Sequence, residues 1–186
     1  MSGKLVGIDL GTTFSAIATL DDYGHPVTLT GRLLHGGAGR HVLIVAQSYG
    51  HGAVRLATVT TKRGGRFSVS VRPRIMTTYQ AQLGSIRPSR AITVGVRPVM
   101  SVDRLAGGKL RTRVVAAKSF RGRTVKLQRR VGATWHTVAQ QPLKHGSTAV
   151  FAVSLPRSVV RVAMSVNQAG AGYLGTSSHP LVFRSV

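Results

Sequence analysis

Short runs of alternating apolar and polar residues recur along this chain at roughly ten-residue intervals, each closed by Gly, Pro or Ser. The period is two, the repeat of an extended strand whose successive side chains point to opposite faces. It predicts strands over 27–34, 42–47, 54–60, 66–71, 78–83 and 92–96. Phe67, Val69 and Val71 share one face of their strand, as do Ile92, Val94 and Val96. Turns fall at Gly36-Gly37, Tyr49-Gly50, Arg63-Gly64-Gly65 and Arg87-Pro88. Such spacing belongs to an antiparallel sandwich, and the Val- and Gly-rich composition favours strands and turns over helix.

The second half repeats the first. Gly39-Arg40-His41-Val42-Leu43-Ile44 aligns with Gly122-Arg123-Thr124-Val125-Lys126-Leu127, and Phe67-Ser68-Val69-Ser70-Val71 aligns with Phe151-Ala152-Val153-Ser154-Leu155. The offset holds at about 83–84 residues, and Pro73 falls near Pro156. Further strands are expected over 110–116, 125–130, 135–140, 159–166 and 181–184. A chain of 186 residues can form one large domain or two small ones, and the repeat favours two, joined around Arg97-Pro98. The expected division is a first segment, 1–26, then modules at 27–97 and 98–186.

Charge narrows the chemistry. The chain carries 26 Lys+Arg against 4 Asp+Glu, a formal net charge of +22, and no Cys. There is no Glu; the acids are Asp9, Asp21, Asp22 and Asp103. A two-carboxylate mechanism finds almost no candidates beyond the first segment, and thiol catalysis, disulfides and cysteine zinc sites are excluded. The seven histidines show no His-x-His or His-Glu-x-x-His spacing, so they read as loop or strand-end residues and no metal is expected. Asp103, beside the module joint, is expected to pair with Arg104 or Arg97 rather than to serve a Ser-His-Asp set. No catalytic residue is expected.

So positive a surface attracts polyanions at low salt. Arg predominates over Lys, which fits bidentate phosphate contacts or, equally simply, a GC-rich genome. The densest stretch, which also holds Lys118, supplies the candidate polyanion-binding residues Lys109, Arg111, Arg113, Arg121, Arg123, Lys126, Arg129 and Arg130. Arg111 and Arg113 share a strand face and suggest a basic stripe. Only Phe120 interleaves, whereas specific nucleic-acid readers present several stacking aromatics. Expected partners are therefore cell-wall polymers or nucleic acid, bound without specificity. Cations at Arg111, Arg113 and Lys126 would also keep strand edges from pairing, which leaves a monomer. Trp135, the one tryptophan, is expected as a core anchor between sheets. No stretch reaches the roughly 18 apolar residues of a membrane span.

Two resemblances follow. Gly7-Ile8-Asp9-Leu10-Gly11-Thr12-Thr13-Phe14-Ser15, followed by Asp21-Asp22-Tyr23-Gly24-His25-Pro26-Val27, resembles the opening of DnaK-type heat-shock chaperones, which are actin-like ATPases. The resemblance implies a β-hairpin whose Gly11, Thr12 and Thr13 hold phosphates while Asp9 acts on magnesium through water. ATP and Mg are thus the alternative cofactors to none at all. It covers about 26 residues, and a second phosphate loop, an adenosine site and a catalytic Glu are missing.

The remainder resembles tandem bacterial immunoglobulin-like modules of secreted or surface proteins, on Val27-Thr28-Leu29-Thr30-Gly31-Arg32, Gly64-Gly65-Arg66-Phe67 and Thr134-Trp135-His136-Thr137-Val138. Together they imply an all-β chain of two immunoglobulin-like β-sandwiches preceded by an N-terminal β-hairpin, and a fusion of unlike parts. The implied location is extracellular or at the cell surface, with the cytoplasm as alternative because Asp9 interrupts the apolar start.

Overall fold

The computed structural model describes residues 4–10, 19–34, 36–84 and 88–184, and the chain divides into compact units at Met1–Val96 and Arg97–Val186. The first unit comprises β1 (Lys4–Leu10), β2 (Thr19–Asp22), β3 (Val27–Leu33), β4 (His41–Ser48), β5 (Ala53–Thr60), β6 (Arg66–Val71), β7 (Thr77–Gln82) and β8 (Ile92–Arg97). They form two sheets, ordered β1-β3-β6 and β2-β8-β7-β4-β5. Alternation decides which side chains face inward. Val27 and Leu29 from one sheet meet Val42, Ile44, Tyr79, Ala81, Ile92 and Val94 from the other, with Phe67 and Val71 closing the layer. Removing each such large side chain from water contributes about 1.5–3 kcal/mol.

The N-terminal segment pairs differently from the expected hairpin. Among the described residues β1 lies parallel to β3, Lys4 opposite Val27 and Leu10 opposite Leu33, while β2 joins β8 in the other sheet. Parallel neighbours need a crossover longer than a tight turn, and here the chain crosses through the second sheet before returning as β3.

The second unit comprises β9 (Val99–Leu105), β10 (Lys109–Val115), β11 (Thr124–Val131), β12 (Thr134–Pro142), β13 (Thr148–Ala152), β14 (Ser158–Met164), a single helical turn α1 (Val166–Ala169), β15 (Thr176–Ser177) and β16 (Leu181–Phe183). One sheet runs β13-β10-β9; the other runs β12-β11-β14-β15, with β16 also on β14. Leu110, Phe151, Val125, Leu127, Val160, Val162 and Phe183 are fully or almost fully buried between them. The all-β fold is as expected, and the observed strands fall on the predicted runs. The additions are β9, β13, β15 and α1.

The internal repeat extends to individual hydrogen bonds. A β-bulge interrupts pairing after Ile44 in β4 and after Leu127 in β11, the aligned positions of the two copies. The Gly39 N–H donates to the Thr61 carbonyl at 2.8 Å and the Gly122 N–H to the Leu143 carbonyl at 2.7 Å. A buried serine recurs as well. Ser89 Oγ accepts from the Ala81 N–H at 2.9 Å and donates to the Arg90 carbonyl at 2.9 Å; Ser178 Oγ accepts from Val162 at 3.0 Å and donates to His179 at 3.1 Å. Each serine satisfies a buried amide that the adjoining irregular strand leaves without a ladder partner.

Tyr79 gives the first unit a pH dependence of its own. Burial pushes its phenol up to about 12, opposed by a side-chain hydrogen bond with Thr77. The folded state keeps the phenol neutral, whereas the unfolded chain ionises near 10. This contribution is therefore complete below about pH 10 and lost as pH rises toward 12, by about 3 kcal/mol in all. Urea unfolding of native chain and Tyr79→Phe across this window is expected to show a steeper alkaline loss in the native chain. Parallel curves would contradict the assignment.

Candidate anion-binding surface

The structure places Arg111 and Arg113 on one outward strand face and distributes the other candidate cations over further surfaces. Lys109, Arg111 and Arg113 alternate outward from β10 while Leu110, Thr112 and Val114 are buried. Lys126 alternates outward from β11 between buried Val125 and Leu127. Because β10 and β11 belong to opposite sheets of a sandwich, these outward faces point in opposite directions. Arg121 and Arg123 lie between, on the exposed loop joining the two strands. Arg129 is half-buried with its Nε enclosed, and Arg130 Nε donates to the Gly132 carbonyl at 3.0 Å across the β11–β12 turn. Of the phosphate-loop candidates, Asp9 stands opposite Arg32 in the β1–β3 register, and Gly11, Thr12 and Thr13 lie outside the described residues.

Three expectations change. Asp103 pairs with Arg111, Oδ2 to guanidinium nitrogen at 3.7 Å, because these residues are direct partners in the β9–β10 register. Neighbours such as Asp103 and Arg104 point to opposite faces of a strand, and the Arg104 guanidinium instead donates to the Val182 carbonyl. Arg111, Arg113 and Lys126 do not guard edges, since β10 and β11 are interior strands; the edges are β9 and β13 in one sheet and β12, β15 and β16 in the other. Trp135 is no core anchor. It lies half-buried on edge strand β12, with the Arg161 guanidinium 4.3 Å from the ring centroid and Arg161 Nε donating to Gln128 Oε1 at 2.9 Å. Burial there lowers the Arg161 pKa, which still leaves arginine charged.

The loop after β10 has an aromatic base. Phe120 is fully buried and meets Tyr173 edge-on, with centroids 5.8 Å apart. The Lys118 ammonium lies 5.4 Å from the Phe120 centroid and 4.8 Å from that of Tyr173. Partial burial, then the charge of Arg123, lowers the Lys118 pKa. Beside this base opens a cleft of about 360 Å³, lined by Arg113 to Ala116 of the β10 end, Lys118, Ser119 and Arg121 of the loop, and His145, Gly146 and Ser147 of the turn before β13. None of its lining residues is acidic. Ser147 Oγ accepts from the Phe120 N–H at 2.9 Å and Ser119 Oγ from the Arg121 N–H at 3.2 Å, so loop and turn are tied together. The charged stretch was legible in the sequence; the contribution of His145, which requires β13 to pair beside β10, was not.

Among the described residues no three His, Asp or Glu side chains group as a metal site, and no helix is long and apolar enough to cross a membrane. No family model matches the chain, and no curated protein matches it in sequence. Solved structures to which the chain is similar include a cytokine receptor complex, at 10% identity over 79% of this chain and 87% of the other with a TM-score of 0.39. Another is the BSP domain of a biofilm-associated protein, at 14% identity over 91% of this chain and 29% of the other, TM-score 0.35. A tetra-tandem repeat from the extending region of a large adhesion protein gives 13% identity over 96% and 49%, TM-score 0.32.

Proposed function

We propose that this chain is a non-enzymatic, immunoglobulin-like β-sandwich pair of a bacterial surface or secreted protein, a spacer or adhesion-type element that binds polyanions loosely through its charge. The observation that carries the reading is the second unit, where cations project from both outward faces and from the intervening loop while Asp103 is the unit's one carboxylate side chain. Attraction spread over several surfaces gives salt-sensitive association without a fixed register. Base stacking has little to work with: Phe120, Phe151, Tyr173 and Phe183 are buried, and Arg161 lies over Trp135. Non-specific contact with a wall polymer or a nucleic acid fits this surface better than sequence reading does. An anionic wall polymer and duplex DNA of matched charge density should bind the full chain about equally and weaken together as salt rises. Retention of either at high salt would overturn the reading.

A further inference from the structure

We propose that the cleft between the β10–β11 loop and the turn before β13 is a discrete site for one tetrahedral oxyanion, a phosphate group either free or within a polymer. This deepens the polyanion reading and rests on it. Arg113, Lys118, Arg121 and His145 line the cleft, Ser119 and Ser147 add hydroxyls, and no carboxylate lines it. The nearest carboxylate in the register, Asp103, stands opposite Arg111 and is held there at 3.7 Å. Arginine supplies a planar fork of donors and lysine a compact charge, the two cation types that hold phosphate oxygens.

The first unit keeps part of this charge and drops part. Its loop after β3 runs Gly36-Gly37-Ala38-Gly39-Arg40 where the second unit has Ser119-Phe120-Arg121-Gly122-Arg123, so Ala38 stands at the Arg121 position, while Arg40 and Arg63 stand at those of Arg123 and His145. The first unit's Arg32, near the end of β3, is turned onto its own frame, with Nε donating to the Gly64 carbonyl at 3.1 Å. Both loops lead into a strand with the same bulge, so the same frame is built with and without a cation at the Arg121 position. Clustered like charges repel; at Lys118 burial first, and then the neighbouring charge of Arg123, disfavour the ammonium. An anion seated in the cleft relieves that repulsion and draws net stabilisation from it.

The test is titration of the full chain with inorganic phosphate and, separately, with polyphosphate, comparing native protein, Arg113→Ser/Arg121→Ser and Arg55→Ser/Arg157→Ser. Both doubles remove two exposed positive charges, so a bulk-charge effect treats them alike. Saturable binding that falls at least tenfold in the cleft variant and less than threefold in the control supports the site. Tight binding of both ligands assigns the site to a free phosphate group, and saturable binding of polyphosphate alone assigns it to a polymer. Equal losses in the two variants, or undiminished polyphosphate binding in the cleft variant, overturn the cleft while leaving the general polyanion reading in place. Absence of binding to either ligand by the native chain overturns both.

Discussion

Gly65→Ala is expected to destabilise the first unit by about 2–5 kcal/mol, while the equivalent position of the second unit already carries a serine. Gly65 has φ of 72°, a left-handed conformation in which a Cβ is strained, and that Cβ would stand 2.3 Å from the Leu33 carbonyl oxygen. Backbone does not move aside as a flexible side chain does, so strain and overlap add. The second unit builds the same turn around Ser147 at φ of 54°, and the turns match bond for bond. Gly65 N–H donates to the Lys62 carbonyl at 3.0 Å, and Ser147 N–H donates to Lys144 at 3.1 Å. There the side chain fits and its Oγ takes the Phe120 amide. Ser147→Ala should therefore cost only the stranded amide, about 1–3 kcal/mol. Chemical denaturation of both variants checks the contrast; a Gly65→Ala chain as stable as the native one would contradict it.

Phe120→Ala is expected to cost about 3–5 kcal/mol and to remove oxyanion binding with it. The ring is fully buried, contacts Tyr173 edge-on and lies beneath the Lys118 ammonium, so its loss leaves a cavity under the loop that presents Lys118 and Arg121. Phe120→Leu refills most of the volume and should lose about 1 kcal/mol, with phosphate affinity reduced in proportion to the loss of loop order. Denaturation followed by Trp135 fluorescence reports on the second unit, because this is the chain's one tryptophan. Retention of native phosphate affinity by a folded Phe120→Ala chain would show that the aromatic base does not organise the loop.

These positions show what could be read from the sequence. Period-two alternation placed the strands because a sandwich strand must send every second side chain inward, as Val27 and Leu29 or Val125 and Leu127 do. The repeat alignment set Ile44 against Leu127, and the structure places a bulge after each. Missing from local pattern was anything decided by pairing: β1 beside β3 in parallel, Asp103 opposite Arg111, and His145 brought to the end of β10. Trp135 misled because size argues for burial, whereas edge strand β12 leaves it half-open and an arginine from β14 covers it. Sequence proximity also hides which sheet a strand joins; β10 and β11 follow one another in the chain and face opposite ways in the fold.

The most direct test of the central claim is the affinity of the full chain for two DNA duplexes of equal length and unrelated sequence, measured across about 50 to 200 mM salt. Charge-driven, register-free association predicts coincident lines of log affinity against log salt, with the same steep negative slope for both duplexes. A preference of about a thousandfold for one sequence, or a flat salt response, would contradict a loosely polyanion-binding β module and make this chain a specific nucleic-acid reader instead.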